Sequence, residues 1–334
     1  MSVGEYEVRV AQQIQQFGDL EALWRLPPIT QYWMGRHIAP RVEQVFGKRS
    51  VFDIYADYVS RACARCREAH SDAVVFSIGS GDCSVEIALA RRLLSTGVTN
   101  FQLVATELSP QRLERARGAA AAAGVAANFE FRVTDLNEVR LDSVVDVFIA
   151  HHTLHHIVNL EGLFEEVRRS MHSDSVFLSA DMIGRNGHRR WPETLEWISR
   201  LWAFIPSHYK FNYQFNASHA EYLDWDCSRT GFEGIRAQDI LPLLVDRFHF
   251  EGFLGYGGII DPFIERGYGR NLDEDRAEDR GFIDFVEHLN QTLIEAGRIK
   301  PTMMIAAMRS EPCAERSFGH LTPRFAVRIV TEGQ

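Results

Sequence analysis

The amino-acid sequence predicts an α/β protein, a doubly wound sheet of seven strands with helices on both faces. From residue 73, short β-branched and aromatic runs alternate with helical segments, the order that gives parallel strands joined by crossover helices. The first run ends in a glycine-rich turn that opens a helix, Ser77-Ile78-Gly79-Ser80-Gly81-Asp82-Cys83. After an aromatic-rich interruption the alternation resumes with two more strands.

In chain order, the first seventy residues read as helices. Val10, Ile14, Phe17 and Trp24 recur at helical spacing before a Pro27-Pro28 break. A second helical stretch from about Thr30 carries Tyr32, Trp33, Arg36 and His37 within two turns, a mixture that packs on a core or lines a pocket. Strands are predicted near 73–78, 101–106, 129–133, 144–150 and 175–181, with helices near 84–95, 110–123 and 160–171. Ser109 caps with Pro110 at the first helical position, and Gly124 stops an alanine-rich helix. The interruption holds Trp191, Trp197, Trp202, Tyr209 and further aromatics. Trp191, Leu195, Ile198, Trp202 and Ile205 share one helical face begun by Pro192, which reads as an inserted cap. Strands near 247–256 and 301–308 then flank a helix near 281–296 whose face is Phe282, Phe285, Leu289 and Leu293. The expected divisions are an N-terminal helical lid (1–70), the first part of the core (71–183), the cap (184–245), the rest of the core (246–310) and a patternless tail (311–334).

Composition excludes several classes. A chain of 334 residues, 46% apolar and 24% charged, is neither disordered nor fibrous. Thirty-six basic against 45 acidic residues give a net charge of -9, which repels phosphate backbones and anionic lipid, so neither nucleic acid nor a membrane is expected as partner. The start, Met1-Ser-Val-Gly-Glu-Tyr-Glu, is acidic where a signal peptide needs a basic region, and no run nears the roughly 20 apolar residues that span a bilayer. A cytoplasmic protein is expected. Five cysteines, at 63, 66, 83, 227 and 313, are odd in number and scattered, unlike a disulfide framework. Cys63-Ala-Arg-Cys66 has no second ligand pair and reads as helix packing, so no metal is expected there. A homodimer is left open.

The chemistry gathers at strand ends. Glycines at 79 and 81 let a ligand approach the backbone, and the helix N-terminus beyond offers amide donors. Ser84 replaces the third glycine of the dinucleotide fingerprint, and no phosphate-binding lysine follows, which disfavours a pyrophosphate. Glu107, after the second strand, is placed to accept ribose hydroxyls; Asp135, after the third, suits an adenine amino group. After the fourth comes Ala150-His151-His152-Thr153-Leu154-His155-His156. All four segments converge on one crevice, although acids at strand ends also serve as helix caps.

These residues resemble the class I S-adenosylmethionine-dependent methyltransferases, whose first turn is acidic-x-G-x-G-x-G and whose next two strands end in acids. Gly79, Gly81, Glu107, Asp135 and Leu154-His155-His156 match by position, over residues 73–183 and 247–309. Ser77 stands where the family has its leading acid, and Cys83 where it has a third glycine. The resemblance implies a Rossmann-like sheet with an antiparallel last strand. It also implies S-adenosyl-L-methionine as cofactor, held by Gly79, Ser80, Gly81, Glu107, Leu108, Asp135, Leu136 and His151. Gly184-Arg185-Asn186-Gly187-His188, Arg190-Trp191-Pro192-Glu193, Asp224-Trp225-Asp226-Cys227-Ser228 and 231–239 are similar to a bacterial methyltransferase subgroup, a likeness that bears on fold rather than substrate, and a place in bacterial small-molecule metabolism is expected.

Methyl transfer from a sulfonium is an in-line displacement, so the protein must orient a nucleophile, exclude water and take up any proton released. Candidates for that proton are His155, His156, Asp181 at the end of the fifth strand and His188 beyond it, with His188 and Asp181 favoured by position. His155 and His156 equally suit a structural part in shaping the cofactor pocket. Tyr32, Arg36, Trp191 and Tyr209, from lid and cap, are the candidate acceptor contacts. The leading expectation is methylation of a small molecule. Attack at another carbon of the same sulfonium, releasing methylthioadenosine by cyclisation or aminocarboxypropyl transfer, is the second. An NAD-dependent oxidoreductase is the third, and a non-catalytic binding protein a fourth.

Overall fold

Apolar runs become strands wherever the expected alternation places them. The computed structural model describes residues 3–16 and 26–328. Its strands are β1 (Ala73–Ile78), β2 (Phe101–Glu107), β3 (Phe129–Val133), β4 (Val145–His151), β5 (Met171–Met182), a two-residue pair β6 (Phe211–Asn212) and β7 (Ala217–Ser218), β8 (His249–Tyr256), β9 (Met303–Arg309) and β10 (Arg316–Ser317). The main sheet runs β10-β8-β9-β5-β4-β1-β2-β3. β9 is antiparallel to both β5 and β8, and the other pairings are parallel. The seven expected strands are present with the antiparallel last strand, and the sheet holds eight. The extra one, β10, pairs through Arg316 and Ser317 alone, too short to leave a period in the sequence.

The helices are α1 (Val3–Gln16), α2 (Pro28–Trp33), α3 (Ala39–Phe46), α4 (Val51–Glu68), α5 (Ser84–Ser95), α6 (Pro110–Ala122), α7 (Leu160–Arg169), α8 (Pro192–Phe204), α9 (Ala237–Arg247), α10 (Asp261–Ile264), α11 (Ala277–Glu295) and α12 (Pro323–Ala326). Strand residues alternate between two cores, as a period of two requires. Val75, Leu103, Ile149 and Leu178 pack with α4 and α5 on one face; Phe76, Phe148 and Phe177 pack with α7 and α9 on the other. Ile240, Leu241 and Leu244 of α9 belong to this second core, so Ala237–Arg247 is a sheet-covering helix and the departure from α/β alternation spans 184–236.

The N-terminal segments divide. α2 and α3, joined by the π-helical turn Met34–Ile38, are fastened to α11: Trp33 Nε1 donates to Glu287 Oε2 at 2.8 Å, and Arg41 of α3 pairs with Glu287 Oε1 at 2.7 Å. α4 is part of the sheet layer, with Ile54, Tyr55, Val59 and Ala62 buried. Among the described N-terminal segments, only α1 lies across the strand tips. Phe17 and Trp24 lie outside the described residues. In the insertion, Ile198 and Trp202 are buried as the α8 stripe demands, and Trp202 packs edge-on to Tyr222 and Tyr268.

Candidate active site

β1 pairs with β2 on one side and β4 on the other, so the chain reverses its direction of travel across the sheet there and the carboxyl ends of these strands open a crevice. The turn after β1 is rigid. Gly79 N donates to Thr106 Oγ1 at 3.2 Å, Ser80 N to the Thr106 carbonyl at 2.7 Å, and Thr153 Oγ1 to the Gly79 carbonyl at 2.9 Å. Gly79 and Gly81 have φ of 66° and 58°, and a Cβ at either would collide with Thr153 or Arg112. Side-chain-free backbone thus forms one wall of a cavity of about 270 Å³.

Glu107, Leu108, Asp135, Leu136 and His151 line the same cavity, together with Gln13 and Ile14 of α1 and Phe232. Glu107 Oε1 accepts from Ser109 N at 2.9 Å, and its other oxygen lies 3.6 Å from Arg112. Asp135 Oδ1 accepts from Asn137 N at 2.9 Å, while Oδ2 accepts from Tyr6 Oη at 2.5 Å. Burial, then Asp135, raises the Tyr6 pKa, which keeps this phenol a donor. α1 is held by its polar side chains. Arg9 donates to the carbonyls of Ser228 and Gly231 at 2.8 and 2.6 Å; Gln13 accepts from Phe232 N and meets His156 Nδ1 at 3.0 Å.

A stack of histidines and carboxylates adjoins the cavity. Asp181, 1% exposed, accepts from Thr153 N and Leu154 N at 2.8 and 2.7 Å, from Met182 N at 2.8 Å and from His155 Nδ1 at 2.5 Å. The second imidazole nitrogen of His155 lies 3.5 Å from Glu233, whose same oxygen meets His188 Nε2 at 2.8 Å. Burial works against a charge on His155, but Asp181 and Glu233 more than offset it and hold the pKa up to about 10. His155 is therefore an imidazolium at neutral pH. Asp181 is correspondingly depressed: burial would raise it, and His155, helped by the Thr153 amide, overcomes that. Burial, reinforced by neighbouring imidazoles, pushes His152 and His156 down to about 3. Arg266 is near enough to His152 to add to that fall. Gly187 and His188 both have positive φ, 70° and 54°, and the Gly187 amide donates to Gly234 at 2.8 Å, which brings the His188 and Glu233 loops together.

The structure brings His155, Asp181 and His188 together but changes what two of them can do. All acceptor positions of Asp181 face donors, and His155 already carries its proton, so neither can take one up; this corrects the expectation that they are proton acceptors. His155, His188 and Glu233 offer ligand atoms within 4.8 Å of one another. In the structure these three side chains are joined through Glu233 Oε1.

The four candidate acceptor contacts do not reach the cavity. Tyr32 donates to Asp284 at 3.0 Å, and Tyr209 bonds Asp279 and stacks on Phe282, so both brace α11. Arg36 is exposed on the π-helical turn; Trp191 is buried beneath Arg328, whose guanidinium lies 4.4 Å above its ring. Sequence reasoning missed Glu233, Tyr6, Gln13 and Glu86. For Glu86 a signal existed: it lies on the apolar stripe of α5 with Leu89, Ala90 and Leu93, where a carboxylate has no solvation.

Residues 69–225, just under half the chain, match a family model described as a methyltransferase domain. No curated protein matches. Among solved structures, a geranyl diphosphate C-methyltransferase from Streptomyces coelicolor A3(2), in complex with Mg2+, geranyl diphosphate and S-adenosyl-L-homocysteine, is similar at 10% identity, covering 91% of this chain and 98% of that one, with a TM-score of 0.46. An O-methyltransferase from a trans-AT PKS multienzyme of Brevibacillus brevis, in complex with S-adenosyl-L-homocysteine, is similar at 11% identity, covering 90% and 84%, with a TM-score of 0.41. The matched segment contains the strands and turns that build the cavity, so residues 69–225 are similar to a methyltransferase domain, which favours a methyltransferase site over the nicotinamide expectation.

Proposed function

We propose that this enzyme methylates a small molecule whose nucleophilic atom carries a proton, and that His188 removes that proton. The observation that carries the reading is the chain Asp181–His155–Glu233–His188 set against the glycine-walled cavity. The residues present suit the cofactor: two strand-tip carboxylates for a nucleoside, glycine backbone between them, and a further buried carboxylate. When bound, S-adenosylmethionine supplies an electrophilic methyl group on sulfur. Glu107 and Asp135 hold the nucleoside, Asp135 exchanging its bond from Tyr6 for one from the ligand. Gly79, Ser80 and Gly81 give close backbone approach, with Leu108, Leu136 and His151 as walls.

His155, fixed in charge by Asp181, positions Glu233 as an anion, and Glu233 orients His188 Nε2 and supports the imidazolium formed when His188 takes a proton. α1 and the 226–236 loop enclose this end, which supports a small acceptor over a macromolecule. The five free cysteines support a reducing compartment, the cytoplasm, and hence a place in small-molecule metabolism. Among the described residues no helix is long and apolar enough to cross a membrane.

Incubation with S-adenosylmethionine and a metabolite extract is expected to yield S-adenosylhomocysteine and an acceptor heavier by one CH2, read by mass spectrometry. Methylthioadenosine as the sulfur product would overturn the reading. Glu107→Ala is expected to weaken binding of S-adenosylhomocysteine about tenfold, because ribose hydroxyls lose a charged acceptor in a partly buried site. Unchanged affinity in calorimetry would remove Glu107 from the cofactor site.

A further inference from the structure

A buried acid in the cavity wall is only half used. Glu86, in the first turn of α5, is 3% exposed. Its Oε1 accepts from Ser77 Oγ at 2.6 Å, whereas Oε2 is buried and has no hydrogen-bond partner among the described residues. Glu86 lines the cavity beside Gly79, Ser80, Gly81, Ser84 and Val85. A buried carboxylate oxygen without a donor is costly to retain in a folded protein, and such orphans mark places where an absent group completes the structure.

The group that would complete it has to bring an N–H donor and, to suit an anion, a positive charge. Building on the reading of this cavity as the cofactor site, the candidates are narrow. The adenosine end belongs with Glu107 and Asp135, at the tips of β2 and β3, which leaves the β1–α5 wall for the methionine end. That end carries two cationic centres, and only the α-ammonium has hydrogens to donate; the sulfonium has none. Ser77 lies where the resembled family carries an acid, and here its hydroxyl points to Glu86 instead.

We propose that Glu86, braced by Ser77, is the anionic anchor of the cofactor's α-ammonium group, the acid having moved from the end of β1 into α5. Burial pushes the Glu86 pKa up to about 7, so without a cationic partner the carboxyl sits near half protonation at neutral pH, and an ammonium opposite Oε2 would hold it ionised. Ser77 keeps Oε1 occupied, which leaves Oε2 as the carboxylate oxygen still open to a donor.

The test compares two ligands by calorimetry. S-adenosylhomocysteine carries the α-ammonium group; 5′-methylthioadenosine keeps the nucleoside and thioether and lacks the amino-acid portion. Glu86→Gln, close in shape, is expected to weaken S-adenosylhomocysteine binding by about tenfold to a hundredfold and to leave methylthioadenosine within about twofold, as loss of one charged hydrogen bond predicts. Ser77→Ala, which keeps the carboxylate but frees it to turn, is expected to give the same selectivity with a smaller loss. Equal loss for both ligands, or none for S-adenosylhomocysteine, overturns the proposal and makes Ser77–Glu86 a packing pair. If the wild-type protein binds neither nucleoside, the assignment of the cavity itself falls, and the anchor with it.

Discussion

Asp181→Ala is expected to destabilise the protein by about 3–5 kcal/mol, the range for leaving one partner of a buried pair uncompensated. Two backbone amides, Thr153 and Leu154, also lose their acceptor, and His155 loses the carboxylate that holds its proton. Urea denaturation of both proteins measures it, and the pH dependence separates the causes. His155, raised to about 10 from its ordinary value near 6.5, contributes stability in full below that ordinary value and loses it as pH rises through 10. Asp181, depressed, contributes above the usual carboxylate range and loses its part only in strong acid. The gap between wild type and variant is thus widest between the usual carboxylate range and pH 6.5, and narrows as pH rises from 6.5 to about 10. A constant gap across that range would mean that the amides, not the charge pair, carry the effect; a gap under about 1 kcal/mol would contradict the buried pair altogether.

His188→Ala is expected to lower turnover by about 10²–10⁴-fold, the usual worth of a positioned proton acceptor, with S-adenosylhomocysteine affinity changed by no more than about threefold. His188 meets Glu233 rather than any residue of the nucleoside end, which is why binding and turnover separate. Steady-state kinetics with the acceptor recovered from the extract incubation, beside calorimetry on the same variant, gives both numbers. Equal losses in both would strip His188 of the proton-transfer role.

What could be read from sequence divides along the range of the interactions. β1 over 73–78 and α5 over 84–95 fall where the apolar runs and their punctuation put them, because a strand buried on both faces writes its boundaries into a few adjacent residues. Gly79, Gly81, Glu107 and Asp135 are legible for the same reason: each follows its own strand directly. Glu233 is not. It reaches His155 and His188 from a loop whose closeness to them depends on Gly187 and Gly234, 47 residues apart in the sequence, and nothing local distinguishes it from any surface acid. α9 was hidden in the insertion by Pro242 within its apolar stripe. The aromatic residues misled in another way. Tyr32 and Tyr209 have the amphipathic character of ligand contacts, but each found its partner in an acid of α11, a choice made by tertiary packing.

The insertion of β9 between β5 and β8 also constrains how the protein is made. Asp181 sits on β5 opposite Met304, and β8 reaches the sheet only through β9. A nascent chain that has emerged as far as residue 182 can pair β1 to β5, yet the outer edge of β5 stays bare until Met303–Arg309 clear the ribosome. Every intervening segment must wait or fold around that gap, and an open, apolar strand edge is the natural target of a neighbouring chain. Synthesis therefore leaves the strand that carries Asp181 waiting on residues translated long after it.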